Sequence, residues 1–449
     1  MEKNATLDAS APPWTESVAP YLGPLTEAAD DFTSLTGVPV DLSEALFLRA
    51  RLAGFAALPG RVSAGGSCRL LATADGWAAV NLARPDDTAA LPALLALLGA
   101  APDADLPTAA RGVTAAQLAH HAQLLGIPAA AHASAGADRP PVRATRHGPR
   151  RPRPLTGLRV VDLSALWAGP LCARLLGLAG ARVVKAESTA RPDGARFGHP
   201  AFYRLLHDGH ESRVLDFTTP ALADLVAEAD IVIEASRPRA LRRLGIHAED
   251  FLAARPGRVW VSITGYGRAD HRVAFGDDAA VAGGLTGRDP AGRPVFLGDA
   301  LADPVTGLFA AHATARSLAA GGGELLCVSM TACAARLAGA RWAVTGPGTG
   351  EGPEAVSHHG EVGRPAASPP DVARDGGAVG SVAHPSGESM THPCGESVAY
   401  PYGEPMAHPH GEMAHPYGES LPHPYGESVA HLYGERAHPH GEAPGARSC

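Results

Sequence analysis

In the stretch "GDALADPVTGLFAAHA", residues 298–313, two aspartates stand four positions apart, and only Asp303 is followed by Pro and then Thr-Gly at the start of an apolar run. Such an aspartate has two uses. Ahead of a proline that opens a helix, it caps the free N–H groups of the first turn. As an ionised carboxylate, with an ordinary pKa near ~3.9, it attacks an activated acyl carbon without needing a separate base. Asp299 is out of step with the Thr-Gly pair and is the weaker candidate.

The elements that must hold this segment are legible over residues 158–345. There "LRVVDLS", "ARVVKAE", "DIVIEAS" and "RVWVSITGYG" alternate with helical stretches such as "PLCARLLGLAG" and "PALADLVAEA". Near-continuous apolar strands between helices imply an α/β fold with a Rossmann-like, doubly wound parallel sheet, whose ligands sit at the carboxyl ends of the strands. Residues 21–142 mix helical patterns with the short strands "CRLLAT" and "WAAVNLA" around the turn "ADG", and read as a smaller α+β domain. Residues 1–20 are expected to be a flexible N-terminus, and 143–157, within "RATRHGPRRPRPLTG", a basic, Pro-rich linker. From 346 to 449 the chain becomes low complexity, with units such as "HPYGES" recurring every seven or eight residues. That composition cannot bury a core, so the tail is expected to be disordered.

Of the 449 residues, 45% are hydrophobic, and the formal net charge is -8. An acidic chain offers no broad basic surface for phosphates, so nucleic-acid binding is not expected. The first residues, "MEKNATLDASAPPW", lack a basic n-region and an apolar core, and no stretch approaches the ~20 apolar residues of a membrane span. A cytoplasmic protein without a membrane partner is expected. The six cysteines are scattered with no C-x-x-C pair, so they read as free thiols and no metal site is expected. In the first strand–turn–helix the turn reads "LWAGPL", without the G-x-G-x-x-G of dinucleotide sites, which argues against hydride chemistry.

Five segments carry a resemblance in their order and spacing: "PLTGLRVVDLSALWAGPLCARLLGLAGARVVKAES", "DIVIEASRPRALRRLG", "VWVSITGYG", "FGDDAAVAGGL" and "GDALADPVTGLFAAHATARSLAAGGGELLCVSM". Together they resemble the family III CoA-transferases, the CaiB/BaiF family. The resemblance implies an acyl-CoA:carboxylate CoA-transferase working as a homodimer. Its partners would be an acyl-CoA donor and a carboxylate acceptor, with coenzyme A as part of the substrate and no permanently bound cofactor. It implies Asp303 as the nucleophile that forms a covalent aspartyl intermediate. It also implies Leu166, Trp167 and Ala168 as the turn facing the nucleotide, and Arg243 and Arg237 as cations for its phosphates. The family's basic stretch reads "DGHESRVLDF" here, and the position after "K-x-E" is Ser188. The racemase branch carries a His in a G-H-D-like motif. This chain has Gly276-Asp277-Asp278, so Asp277 is expected to be a helix cap. An α-methylacyl-CoA racemase-like enzyme and a catalytically inactive CoA-binding or partner subunit remain the alternatives. Residues 21–135, which resemble the family's small domain, are expected either to supply it in permuted order, ahead of the large one, or to be the remnant of a fused second copy.

Overall fold

Strands that are apolar on both faces need cover on both faces, and the large sheet has it. The computed structural model describes residues 15–54, 60–101, 103–136 and 138–344. They fall in the compact unit Met1–Ala355; the second unit, Val356–Cys449, and with it the expected repeat tail, lies outside the described residues. In chain order the strands are β1 Cys68–Ala72, β2 Trp77–Asn81, β3 Ala129–Ala131, β4 Val142–Arg146, β5 Arg159–Asp162, β6 Arg182–Ser188, β7 Glu211–Leu215, β8 Ile231–Glu234, β9 Val259–Thr264, β10 Gly287–Arg288, β11 Pro294–Val295 and β12 Glu324–Ser329. Seven of them form one sheet in the order β4-β12-β9-β8-β5-β6-β7. It is parallel throughout except for β4, which runs antiparallel along β12.

The period-two alternation of strand side chains divides the core in two. Val160, Val183, Ile231, Ile233 and Val261 point into one hydrophobic cluster, and Val161, Val184, Val232 and Trp260 into the other. The first cluster lies under the helices Ala168–Leu178 and Ala302–Ala319, which pack against each other. Their closeness depends on Gly307, where a Cβ would lie 2.6 Å from the carbonyl oxygen of Ala168.

A second sheet, β1-β2-β3, is antiparallel. One face holds Leu71 and Val80 over its own helices, with Leu94, Leu118 and Ile127; the other sets Cys68, Leu70 and Ala79 against Val281 and Phe296. This places the small sheet on the Gly276–Ala282 helix.

Three expectations about segmentation meet a different arrangement. Val18 and Tyr21 are buried, so the flexible terminus expected over 1–20 is anchored at its end. The helices Gly23–Thr36 and Leu42–Ala53 bury Leu25, Phe32, Leu46 and Phe47 in the large sheet's core, although 21–142 reads as one small domain. The physical reason is their apolar faces, which cover the Ala302–Ala319 helix. Residues Val142–Arg146, at the start of the expected linker, pair with β12 as an edge strand. Charged side chains suit an edge that faces solvent, and those of Arg143 and Arg146 are exposed.

Candidate active site

The Ala302–Ala319 helix begins one residue before Asp303, with Leu301 at the N-cap and no side-chain cap hydrogen bond. The capping role open to Asp303 in the sequence is therefore not the one it takes. Its own N–H donates to the Ala300 carbonyl at 2.8 Å, and its carboxylate accepts the N–H of Gly276. Gly276 is required there: a Cβ would stand 2.5 Å from Asp303 Oδ2 and closer still to the Ala300 carbonyl. Asp303 keeps a partly accessible face. Burial, reinforced by Asp277 and Asp299 and opposed by Arg49, pushes its pKa up to about 7.

The turn that launches this helix is tied down from two sides. Asp299 is fully buried and takes a two-pronged ion pair from Arg49, with Nε donating to Oδ2 at 2.7 Å and Nη2 to Oδ1. Asp277 accepts the N–H of Ala300 at 3.0 Å, and Ala300 holds a φ of 44°, unusual outside glycine. Asp277 is thus no helix cap, because the back-bond to the Phe275 N–H at 3.0 Å comes from Asp278. Burial and the nearby Asp299 raise Asp277 to about 6. Burial opposes the charge of Arg49, but the bond to Asp299 and the fields of Asp299, Asp277 and Asp303 outweigh it and hold the guanidinium above its ordinary value. Arg49 also lies over the Trp167 ring, 5.1 Å from its centroid.

Behind the acids, Asn81 of β2 donates to Asp278 Oδ1 at 3.1 Å, while Asn81 Oδ1 and Asp278 Oδ2 are buried without a hydrogen-bond partner. Protonated Asp278 would satisfy both, and burial raises it to about 7. Asp277, Asp278 and Asp303 all have folded pKa values above 3.8, so the native state binds more protons than the unfolded chain between pH 4 and 7. The stability they contribute is complete below pH ~4 and is lost as pH rises through 6 to 7. Asp278→Asn keeps a neutral group in place and supplies a donor for Asn81 Oδ1. Its melting temperature is expected to exceed that of the wild type by several degrees at pH 8 and to match it near pH 5; equal pH slopes in thermal melts would refute this.

The nucleotide-facing turn expected from the sequence follows the carboxyl end of β5. Leu166 adopts φ 72°, its N–H donates to Asp193 Oδ1 at 2.8 Å, and Trp167 and Ala168 are buried at the start of the next helix. Arg237 follows the carboxyl end of β8, the neighbour of β5, and stands exposed at the N-cap position of the short Pro238–Arg243 helix, without a side-chain cap hydrogen bond. Burial and the fields of Arg239, Arg84 and Arg191 lower its pKa, which marks a basic cluster; among the described residues no carboxylate pairs with Arg237. Arg243 is not part of that cluster. It is exposed at the other end of the helix, where it lines a surface groove of about 360 Å³ with Phe217, Thr218 and Ile246.

Buried Lys185 fastens the turn from beneath. Its ammonium reaches Asp193 at 2.9 Å and Asp162 at 3.6 Å and donates to the Ser164 carbonyl. Neither Arg49 nor Lys185 stood out in the sequence. Lys185 carried a signal, since a lysine inside an apolar strand must be paired; Arg49, on a helix 250 residues from Asp299, carried none.

Residues 155–372 match CoA-transferase family III, a match that runs past the last described residue. The chain is 31% identical over 192 residues to succinate–glutarate CoA-transferase of Agrobacterium fabrum, covering 38% of this chain and 48% of that protein. It is 30% identical over 197 residues to succinyl-CoA–D-citramalate CoA-transferase of Chloroflexus aurantiacus, covering 39% and 49%. It is also 31% identical over 175 residues to human succinyl-CoA:glutarate CoA-transferase, covering 35% and 40%. The chain thus spans about half the length, or less, of these curated relatives. A solved CaiB/BaiF family protein from Brucella suis aligns at 30% identity with a TM-score of 0.37, over 41% of this chain and 55% of that one.

Proposed function

From the match of residues 155–372 to CoA-transferase family III, we propose that the chain is an acyl-CoA:carboxylate CoA-transferase that works through Asp303. The observation that carries this reading is the Asp303 carboxylate itself: partly accessible, free of capping duty and held by one backbone N–H at the mouth of a helix. An Asp303 oxygen attacks the thioester carbonyl, the C–S bond breaks, and CoA leaves as the thiolate. The thiolate then attacks the aspartyl carbonyl of the mixed anhydride, releasing the donor carboxylate and leaving an aspartyl–CoA thioester. An acceptor carboxylate attacks that thioester and frees the thiolate again, which takes the new acyl group and restores Asp303. Every step exchanges one acyl bond for another, so water must be kept from the anhydride.

Leu166, Trp167 and Ala168 line the nucleotide side, and Arg237, in its basic cluster, is the phosphate partner; Arg243 serves the outer groove. The sheet is read as Rossmann-like and the protein as a cytoplasmic homodimer. Succinyl-CoA and a short dicarboxylate such as glutarate are the first donor and acceptor to try, because the human relative is named for succinyl-CoA and glutarate.

Succinyl-CoA-to-glutarate exchange, followed from pH 5 to 9, tests the reading. The nucleophile must be ionised and its pKa is about 7, so the rate at pH 6 is expected to be about a tenth of the plateau and to level off above pH 8. A rate independent of pH between 5 and 8 would contradict the role given to Asp303. Exchange of the α-proton with solvent deuterium, without CoA transfer, would favour the racemase-like alternative.

A further inference from the structure

The segment that matches the family begins at residue 155, yet the guanidinium nearest the acids comes from the Leu42–Ala53 helix, outside that match. Arg49 joins two parts of the site that are far apart in sequence. It grips the buried Asp299 with two nitrogens, and it lies over Trp167, the central residue of the nucleotide-facing turn. Asp299 is followed by Ala300, whose N–H is held by Asp277 and whose carbonyl receives the Asp303 N–H. Fixing Asp299 therefore fixes the turn from which Asp303 projects.

We propose that Arg49 is the positioning residue of this site, anchoring the Asp299–Ala300 turn and supplying the positive charge that keeps the Asp303 carboxylate available for attack. This deepens the reading of Asp303 as nucleophile and rests on it. The groups facing Asp303 are Asp277 on the Gly276–Ala282 helix, Asp299 on the preceding turn and Arg49 on the Leu42–Ala53 helix. Asp278 and Cys68 are buried nearby and feel the charge of Asp277. Three acids against one guanidinium leave an excess of negative charge, so removing Arg49 or Asp299 has opposite consequences. Without Arg49, ionisation of Asp303 is opposed by two acids and, among the described residues, loses the cation that favours it. Without the Asp299 charge, one repulsion disappears.

The test is ¹³C NMR titration of the full chain labelled at the aspartate carboxyl carbons, with the Asp303 signal assigned by its loss in Asp303→Asn. In Arg49→Met the Asp303 midpoint is expected to rise by about one pH unit or more, and in Arg49→Lys by less. In Asp299→Asn it is expected to fall. Mere loosening of the turn would drive every variant down toward the ordinary aspartate value. An unchanged midpoint in Arg49→Lys and Asp299→Asn, or a shift of both in the same direction, overturns the proposal even if Arg49→Met does not fold. Because the titration needs no substrate, failure of the wild type to transfer CoA would count against the nucleophile reading alone.

Discussion

Asp303→Asn is expected to lower CoA transfer by roughly 10⁴-fold or more while leaving acyl-CoA binding within a few-fold of wild type. The amide has nearly the carboxylate's shape and retains an oxygen for the Gly276 N–H, so the fold and the nucleotide turn are undisturbed. What disappears is the anionic oxygen to which the proposed mechanism gives the attack on the thioester. Asp303→Glu keeps the charge but carries it one methylene further, into a space bounded by Gly276 and the Ala300 carbonyl. Its rate is therefore expected to fall nearly as far. Single-turnover kinetics with succinyl-CoA, alongside calorimetric binding, separates chemistry from affinity. A tenfold loss or less in Asp303→Asn would mean that another group attacks the thioester.

The second large effect concerns stability. Lys185 is fully buried between Asp193 and Asp162. Burial and the Lys185 charge itself push the His207 imidazole down to about 4, so Lys185 is the cation of this cluster at pH 7. Lys185→Met strands two buried carboxylates, and removing one partner of such a pair costs about 3–5 kcal/mol. Asp193 also receives the N–H groups of Leu166 and Ala195, at 2.8 Å and 2.9 Å, and holds Leu166 in its left-handed conformation. Denaturant unfolding of Lys185→Met should show the loss directly, and acyl-CoA affinity should weaken with it. A cost below about 1 kcal/mol would show that the cluster is easily rearranged.

The strands of the large sheet were legible because "RVVD", "IVIE" and "VWVSIT" hold consecutive rather than alternating apolar residues, the mark of burial on both faces. The strand at Val142–Arg146 was not, since its charged residues sit at an edge where a linker and a strand have the same composition. Asp303 was legible as a residue and ambiguous in its role. Sequence spacing alone could not show whether the helix starts at the aspartate or before it, and a shift of two residues in the N-cap separates a structural carboxylate from one free to react. The rest of the acid cluster depends on pairings between distant segments. Arg49 meets Asp299 across 250 positions, and Asn81 meets Asp278 across 197, and no local pattern encodes either.

The central claim is that the Asp303 carboxylate becomes covalently acylated. Peptide mass spectrometry of the full chain, quenched with hydroxylamine seconds after mixing with succinyl-CoA, tests it most directly. The account predicts a hydroxamate on the peptide carrying Asp303, absent from Asp303→Asn and weaker below pH 6. Transfer of CoA with no modification at Asp303, or the same modification in Asp303→Asn, would contradict it.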